Sequence, residues 1–571
     1  MTGQPFVLDA YAARSCPLKT VHAFTPGLQA PPRRLAPPPF FHDADAVEGD
    51  VFAHLRCGVE SFVDLRVLRS APSAEQEEAA MRALDARYEL IVAPLLPRDW
   101  AGHRSGRPSA LLWVGDGYVP LQVKFHRVWE MASPGDEPVL ISAASEPRAR
   151  HPLPGKRFRW GSRLNAALQV AHHWRLLEAT GHAADHPQAG LVGLERAELP
   201  GTASRRQHTV ITWLDLAAPL APAAWASEVP GSPEGAEGAL VSVLDRYDEE
   251  HAFRVSLAAR AMGGGQPQGL APVIHRECAY CRWHDHCAGQ LDDDDLSKRL
   301  TKAHLDPHEV RTLRALGVTT VADLAGVDLK ALLGDYLPRV THREGGEERL
   351  RRVHRRARLL ASGVALERTT TGPLDVPEHE LEIDLDIETS AGDHAYLWGF
   401  HVDDRASGRQ YYRPFARFAA MDARAETALA AEAFEWLRAV TRGRDAAVYH
   451  YSDYETLRVH RVAARIAEGD ADLAAWATSS TRDLFVDLFS LVRAHFFGAD
   501  GLGLKVVATA AADFRWRDET PGGLASQAWF SDAVGAASNA EREAARVRVL
   551  EYNEDDVLAT WHLRAWLRSL A

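Results

Sequence analysis

The residues of this chain best placed to do chemistry are its spaced acids, a knot of cysteines and one short hairpin. In LEIDLDIETS, Asp386 and Glu388 stand two apart in a strand-like run, so they share one face while Leu385 and Ile387 point to the other. Two carboxylates on one face in mid-strand repel each other unless a cation joins them, and a divalent metal is the economical partner. Further on, EYNEDDVLATWHLRAWL reads as an amphipathic helix whose Tyr552 and Asp556, four apart, lie on one face. Between these two stretches, AAVYHYSDYETL sets an acid just after an apolar strand. There Tyr454-Glu455 forms an aromatic-acid pair, and Asp453 is the competing acid.

ECAYCRWHDHC spaces Cys278, Cys281 and Cys287 as Cys-x2-Cys-x5-Cys. Only five cysteines occur in the chain, and three within ten residues suit metal or cluster ligation in a reducing compartment better than a disulfide framework. A fourth thiolate must come from far away, from Cys16 in AARSCPLKT or Cys57 in HLRCGVE. Four thiolates suit a [4Fe-4S] cluster, and zinc can use the same ligands. The nearby His275, His284 and His286 read as surface or core residues.

The hairpin lies in GRPSALLWVGDGYVPLQVKFHRV, where ALLWV and YVPLQV flank a Gly-Asp-Gly turn and Lys124 closes the second arm. Asp116 in that turn reads as turn chemistry. RLNAALQVAHHWRLLEATGH, with Leu164, Ala167, Leu168 and Ala171 at helical spacing, predicts an amphipathic helix carrying Gln169.

Asp-x-Glu, an acid after a mid-domain strand, and Tyr-x-x-x-Asp on a final helix, in that order, resemble the DEDD exonucleases of the ribonuclease-H-like fold, in the subtype with a catalytic Tyr. The resemblance implies that Asp386, Glu388, Glu455 and Asp556 hold two Mg²⁺ or Mn²⁺ ions about 3.5–4 Å apart and that Tyr552 orients the attacking water. That family usually has Asp in the second motif with Asn five residues before it, and Glu455 and His450 stand there in this chain. Asp487 and Lys505, in segments that also resemble the family, are expected to be structural or substrate-contacting.

The N-terminal half resembles the iron–sulphur RecB-like nucleases of the PD-(D/E)xK, restriction-endonuclease-like fold. Such enzymes place an acid on the first hairpin arm and acid-x-Lys on the second. Those two places hold Ser109 and Gln122, ahead of Lys124, while Gln169 matches the Gln of the following helix. The implied site is degenerate, and a domain impaired in catalysis is expected to bind DNA, with Lys124 on a phosphate. The early cysteine of these families commonly precedes Pro, which favours Cys16, joined with Cys278, Cys281 and Cys287 in a [4Fe-4S] cluster. The full order resembles bacterial RecB-like nucleases with a fused DEDD-type exonuclease. It implies a metal-dependent, 3′ to 5′ exonuclease on single-stranded or frayed nucleic acid, DNA favoured, with a role in DNA processing or repair. Two alternatives stay open: a dual nuclease with an active hairpin site, and a non-catalytic nucleic-acid-binding scaffold.

The elements that must position these groups fall into an expected α/β multidomain order. At about 150 residues per domain, 571 residues suggest three or so. Residues 1–293 form the expected RecB-like domain, 294–370 a helical connector and 371–571 the ribonuclease-H-like domain. In the connector, LRALGVTTVADLA reads as a helix-hairpin-helix-like unit whose turn amides can hold a phosphate. RLRRVHRRAR carries six Arg in ten residues. Arg349, Arg351, Arg352, Arg355 and Arg356 are therefore candidate nucleic-acid contacts, too one-sided to be held by internal ion pairs, with a solvated face paired with neighbouring acids as the alternative. A formal net charge of -13 argues against a generally basic coat. With 46% hydrophobic residues, no apolar run near the roughly 20 residues of a membrane span and no leader-like start, the expected compartment is the cytoplasm.

Overall fold

The computed structural model describes residues 5–32, 44–199, 207–222, 240–265, 270–302, 305–341, 345–519 and 522–570. Among them no helix is long and apolar enough to cross a membrane.

The N-terminal region is a mixed sheet flanked by helices. Its strands are β1 (Phe62–Asp64), β2 (Leu90–Val92), β3 (Ala110–Trp113), β4 (Tyr118–Val123), β5 (Val139–Ala143), β6 (His151–Leu153), β7 (Gln188–Val192), β8 (Arg196–Ala197) and β9 (His208–Asp215). They run in the order β1-β2-β3-β4-β7-β9-β5-β6, with β8 on the edge of β9. The predicted hairpin is β3 against β4, Ala110 opposite Leu121 and Trp113 opposite Tyr118. Gly115 takes the positive φ that its turn requires. Strand period two sorts the apolar residues: Leu112, Leu121 and Leu191 enter one core, while Ile91, Leu111 and Tyr118 enter another. Both faces are covered, which is why these strands read as unbroken apolar runs.

The helices beside this sheet are α1 (Pro17–Phe24), α2 (Ala44–Cys57), α3 (Ser73–Asp85), α4 (Trp160–Thr180) and α5 (Val243–Met262). The predicted amphipathic helix is α4, but the structure buries it almost all round, with Gln169, His172 and His173 as well as Leu168 and Trp174 out of solvent. It is wedged between β4 and α5, so it has no solvent face along most of its length.

Short helices follow and share their own core from Val273 to Ala357, including Leu313, Val321, Leu333 and Leu350. The basic segment is the helix α6 (Gly346–Ala361).

The C-terminal sheet contains β10 (Leu381–Thr389), β11 (Ala395–Asp404), β12 (Arg409–Ala416), β13 (Ala446–His450) and β14 (Phe485–Asp487). Their order is β12-β11-β10-β13-β14, antiparallel up to β10 and parallel beyond it. Around it lie α7 (Ala423–Thr441), α8 (Tyr454–Ile466), α9 (Leu504–Ala512), α10 (Gly523–Gly535) and the 31-residue α11 (Asn539–Ser569). Leu381, Ile383, Leu385 and Ile387 of β10 pack against Phe434 and Leu437 of α7 and Val459 and Val462 of α8. Each such buried side chain contributes about 1.5–3 kcal/mol. The alternate residues of β10 therefore face α11, and these are acids.

Candidate metal centre

Glu382, Asp384, Asp386 and Glu388 lie along the α11 side of one strand, yet they meet two different environments. Arg564 of α11, itself 1% exposed, donates to both Glu382 and Asp384, the latter at 2.9 Å. Arg568 adds a contact of 2.6 Å to Glu382. Burial works to raise the Glu382 pKa, but the Arg568 hydrogen bond and both arginine charges prevail and hold it below the usual carboxylate range. This half of the strand is neutralised.

The other half is not. Asp386, Glu388 and Asp556 bring one carboxylate oxygen each to within 4.8 Å of one another. Burial, then the charge of Asp556, pushes Glu388 up to about 8. Asp386 lies well above its ordinary value, through burial first and then the charges of Asp556, Glu388 and Glu455. Such shifts mean that the folded chain concentrates negative charge it does not balance. A register shift between Glu388 and Thr389 marks a bulge that ends regular pairing beside the cluster.

Neutral donors hold these acids in place. Asn553 Nδ2 donates to Asp386 at 2.7 Å, Ser526 Oγ to Glu388 at 2.5 Å and Trp516 Nε1 to Asp556 at 2.7 Å. Among the described residues the cation that touches the trio is Lys505 of α9, whose Nζ donates to the Tyr552 hydroxyl at 2.9 Å and to Asp556 at 3.0 Å. Burial, then the charges of Asp556 and Glu388, pushes the Tyr552 pKa far up, so its phenol keeps its proton. Tyr552 and Asp556 sit one turn apart on α11, as the helical spacing requires.

The sequence candidates are thus placed unequally. Glu455 is buried at the start of α8 and accepts from Ser452 Oγ at 3.0 Å. It stands outside the close trio, although its charge reaches Asp386. Asp453 is exposed just before α8. Asp487 caps the helix Leu488–His495, accepting from Phe489 N at 2.9 Å. Sequence reasoning passed over Asn553, Ser526 and Trp516. Asn553 alone carried a signal, lying beside Tyr552 in the motif.

At the N-terminal hairpin the four expected residues meet in two pairs. Gln122 Nε2 donates to Ser109 Oγ at 2.7 Å, and Lys124 Nζ donates to Gln169. One unforeseen acid joins them: Glu48 of α2 accepts from Ser109 Oγ at 3.4 Å. Burial, then the charge of Arg14, pulls Lys124 down to about 7. Lys124 is 8% exposed, which leaves its ammonium little room to meet a phosphate. Asp116 stays in the turn and accepts from the Asp185 amide at 3.2 Å.

Cys16, Cys278, Cys281 and Cys287 line a single cavity with Lys19, His22 and Trp283. Cys57 is exposed, its thiol donating to Ala53 O at 3.3 Å within α2. No three of the four sulfurs lie within 4.8 Å of one another. Four thiols around one cavity are a donor set that either an iron–sulphur cluster or zinc could use.

The basic helix corrects an expectation. Arg351 pairs with Glu347 at 2.7 Å, Arg352 with Glu348 at 2.5 Å, Arg349 with Glu309 at 2.8 Å and Arg355 with Glu367 at 2.7 Å. Arg356 donates to Lys302 O at 2.8 Å. Acids one turn earlier and on neighbouring elements make the internal ion pairs that the arginine count argued against. In the helix-hairpin-helix-like turn, the amides of Thr319 and Thr320 are likewise committed, both donating to the Asp323 carboxylate at 3.0 and 2.9 Å.

With this geometry in view, residues 384–568 match a family model described as the RNase_H superfamily. The C-terminal domain is ribonuclease-H-like. That match covers the whole acidic trio, Tyr552 and both arginines of the clamp. Nucleases of this kind use divalent metals, and the trio offers hard oxygen ligands without a protein countercharge in balance. Neither the curated proteins nor the solved structures gave a match to the chain.

Proposed function

We propose that the C-terminal domain is a metal-dependent 3′ to 5′ exonuclease acting on single-stranded or frayed nucleic acid, with DNA the favoured substrate. The observation that carries this reading is the contrast along β10: two acids cancelled by arginine, and two left to share a buried cluster with Asp556. Asp386, Glu388 and Asp556 would hold two Mg²⁺ or Mn²⁺ ions, with Glu455 as the outlying fourth carboxylate. When bound, these ions supply the positive charge that stabilises the attacking and leaving oxygens of a phosphodiester. The protonated Tyr552 hydroxyl is placed to orient a water. Lys505 sits where it can meet an added negative charge. Glu388 and Asp556 are 6% and 5% exposed, so a strand end that threads in reaches them more readily than the phosphates of an intact duplex.

The N-terminal domain acts in this reading as a binding platform rather than a second blade. Among the described residues its hairpin network is built mainly from neutral side chains that bond one another, with Glu48 as the carboxylate that joins them. Cys16, Cys278, Cys281 and Cys287 would hold a [4Fe-4S] cluster that ties the start of the domain to its end.

The test is cleavage of 3′- and 5′-labelled DNA and RNA oligonucleotides in Mg²⁺ or Mn²⁺. Asp386→Ala/Glu388→Ala should lower the rate by on the order of 10³-fold or more, and Lys124→Ala should leave it unchanged. Cleavage that survives the double substitution would move catalysis to the hairpin. Tight binding without cleavage by any variant would make the protein a scaffold.

A further inference from the structure

We propose that Asn553 is a positioning residue that aims the Asp386 carboxylate at the metal, and that Gly399 exists to make room for it. This inference rests on the metal-dependent reading above.

The Asn553 side chain is fully buried, with Nδ2 donating to Asp386 Oδ2 at 2.7 Å and Oδ1 accepting from the Tyr412 hydroxyl at 2.7 Å. An ionised Asp386 can only accept hydrogen bonds, so the amide nitrogen must face it and the amide oxygen must face Tyr412. The hydroxyl from β12 thereby fixes the orientation of an amide on α11, and the amide fixes the rotation of a carboxylate on β10. The amide thus holds Asp386 Oδ2 and with it the plane of the carboxylate.

The sheet is shaped around this contact. Gly399 of β11 lies opposite Asp386 in the strand register. A Cβ on Gly399 would stand 1.6 Å from Asn553 Oδ1, and its three nearest neighbours would all be atoms of Asn553. The choice of a neutral amide also matters. Arg564 cancels Asp384 one pleat away, and a cation at position 553 would compete with the metal for Asp386. An amide orients the ligand without spending its charge.

The experiment is isothermal titration of the full-length protein with Mn²⁺ in the absence of nucleic acid, with Asp386→Ala as the blank. Asn553→Ala should weaken Mn²⁺ binding about tenfold or more, within the range seen when partners of metal ligands are removed. Gly399→Ala should do the same by pushing the amide aside, and Tyr412→Phe should cost less. The decisive arm is Gly399→Ala/Asn553→Ala: with the amide gone, the alanine methyl has space, so the double variant should bind Mn²⁺ as Asn553→Ala alone does. Circular dichroism and thermal melting separate this effect from loss of fold. If Asn553→Ala misfolds, Gly399→Ala still reads the contact with every polar group in place. Affinities of Asn553→Ala and Gly399→Ala within twofold of wild type, or strictly additive losses, overturn the inference while leaving the proposed function standing. No Mn²⁺ bound by the wild type overturns both.

Discussion

The N-terminal hairpin and the C-terminal strand each set a polar cluster against a buried sheet, and they leave its charge in opposite states. At the hairpin, Gln122 bonds Ser109 and Lys124 bonds Gln169, and the buried ammonium is drawn towards neutrality. On β10, Asp386 and Glu388 crowd Asp556, and burial draws those two β10 carboxylates towards protonation. The hairpin donors find neutral acceptors, although Gln122 Oε1 is left without a partner, whereas the C-terminal cluster crowds carboxylates that a cation could join. The difference teaches that burial alone does not mark a metal site. What marks it is an imbalance that the protein had the means to cancel, as Arg564 does for Asp384, and did not.

The strongest challenge to this comparison removes chemistry without removing charge. Tyr552→Phe should lower kcat by roughly 10²-fold while leaving Mn²⁺ affinity unchanged, and Lys124→Met should alter neither. A kinetic loss in Lys124→Met would show that the hairpin takes part in turnover. A smaller effect is expected from returning acids to the hairpin. Ser109→Asp/Gln122→Glu, beside the existing Glu48, should raise Mn²⁺ affinity at that site about tenfold or more, read by titration in an Asp386→Ala background. If no binding appears, those two positions are not what the hairpin lacks.

The smallest effects are pH-dependent, and they have opposite signs. In the metal-free protein Glu388 holds its proton to about 8 against 4.5 when unfolded, so the folded chain binds more protons across that window. Stability from this group is complete below 4.5 and is lost as pH rises through 8. Lys124 titrates near 7 when folded against 10.5 when unfolded, so the folded chain binds fewer protons there and gains stability as pH rises through that range. Melting temperatures measured in chelator should therefore respond to Glu388→Gln mainly between pH 4.5 and 8, and to Lys124→Met mainly between 7 and 10.5. Identical profiles for Lys124→Met and wild type above pH 7 would mean that Lys124 is hydrated in solution.

How much of this was legible depended on the distance over which a signal must be read. The alternation of LEIDLDIE and the four-residue step from Tyr552 to Asp556 are local, and the structure honours both. The same alternation put Glu382 and Asp384 on the same face, but their partners Arg564 and Arg568 come from another element and cannot be found by periodicity. Glu48 approaches Ser109 for the same unreadable reason, across a separation of 61 residues. The basic helix is a different case. Glu347 and Glu348 stand four residues before Arg351 and Arg352 in plain sight, and counting arginines in too short a window hid them. The burial of most of α4 was not legible either, because its outer face is covered by α5 and the N-terminal segment.

The contact between Asn553 and Asp386 closes a span of 167 residues, joining the first strand of the C-terminal sheet to its final helix. Contacts of such high sequence separation form late, because a long loop must be closed before they reward the chain. Partly folded chains, and chains clipped anywhere between those elements, would therefore hold the acids of β10 without Asp556 or Tyr552. On the proposed reading, the acidic cluster that would bind the metals is therefore assembled only in the finished fold.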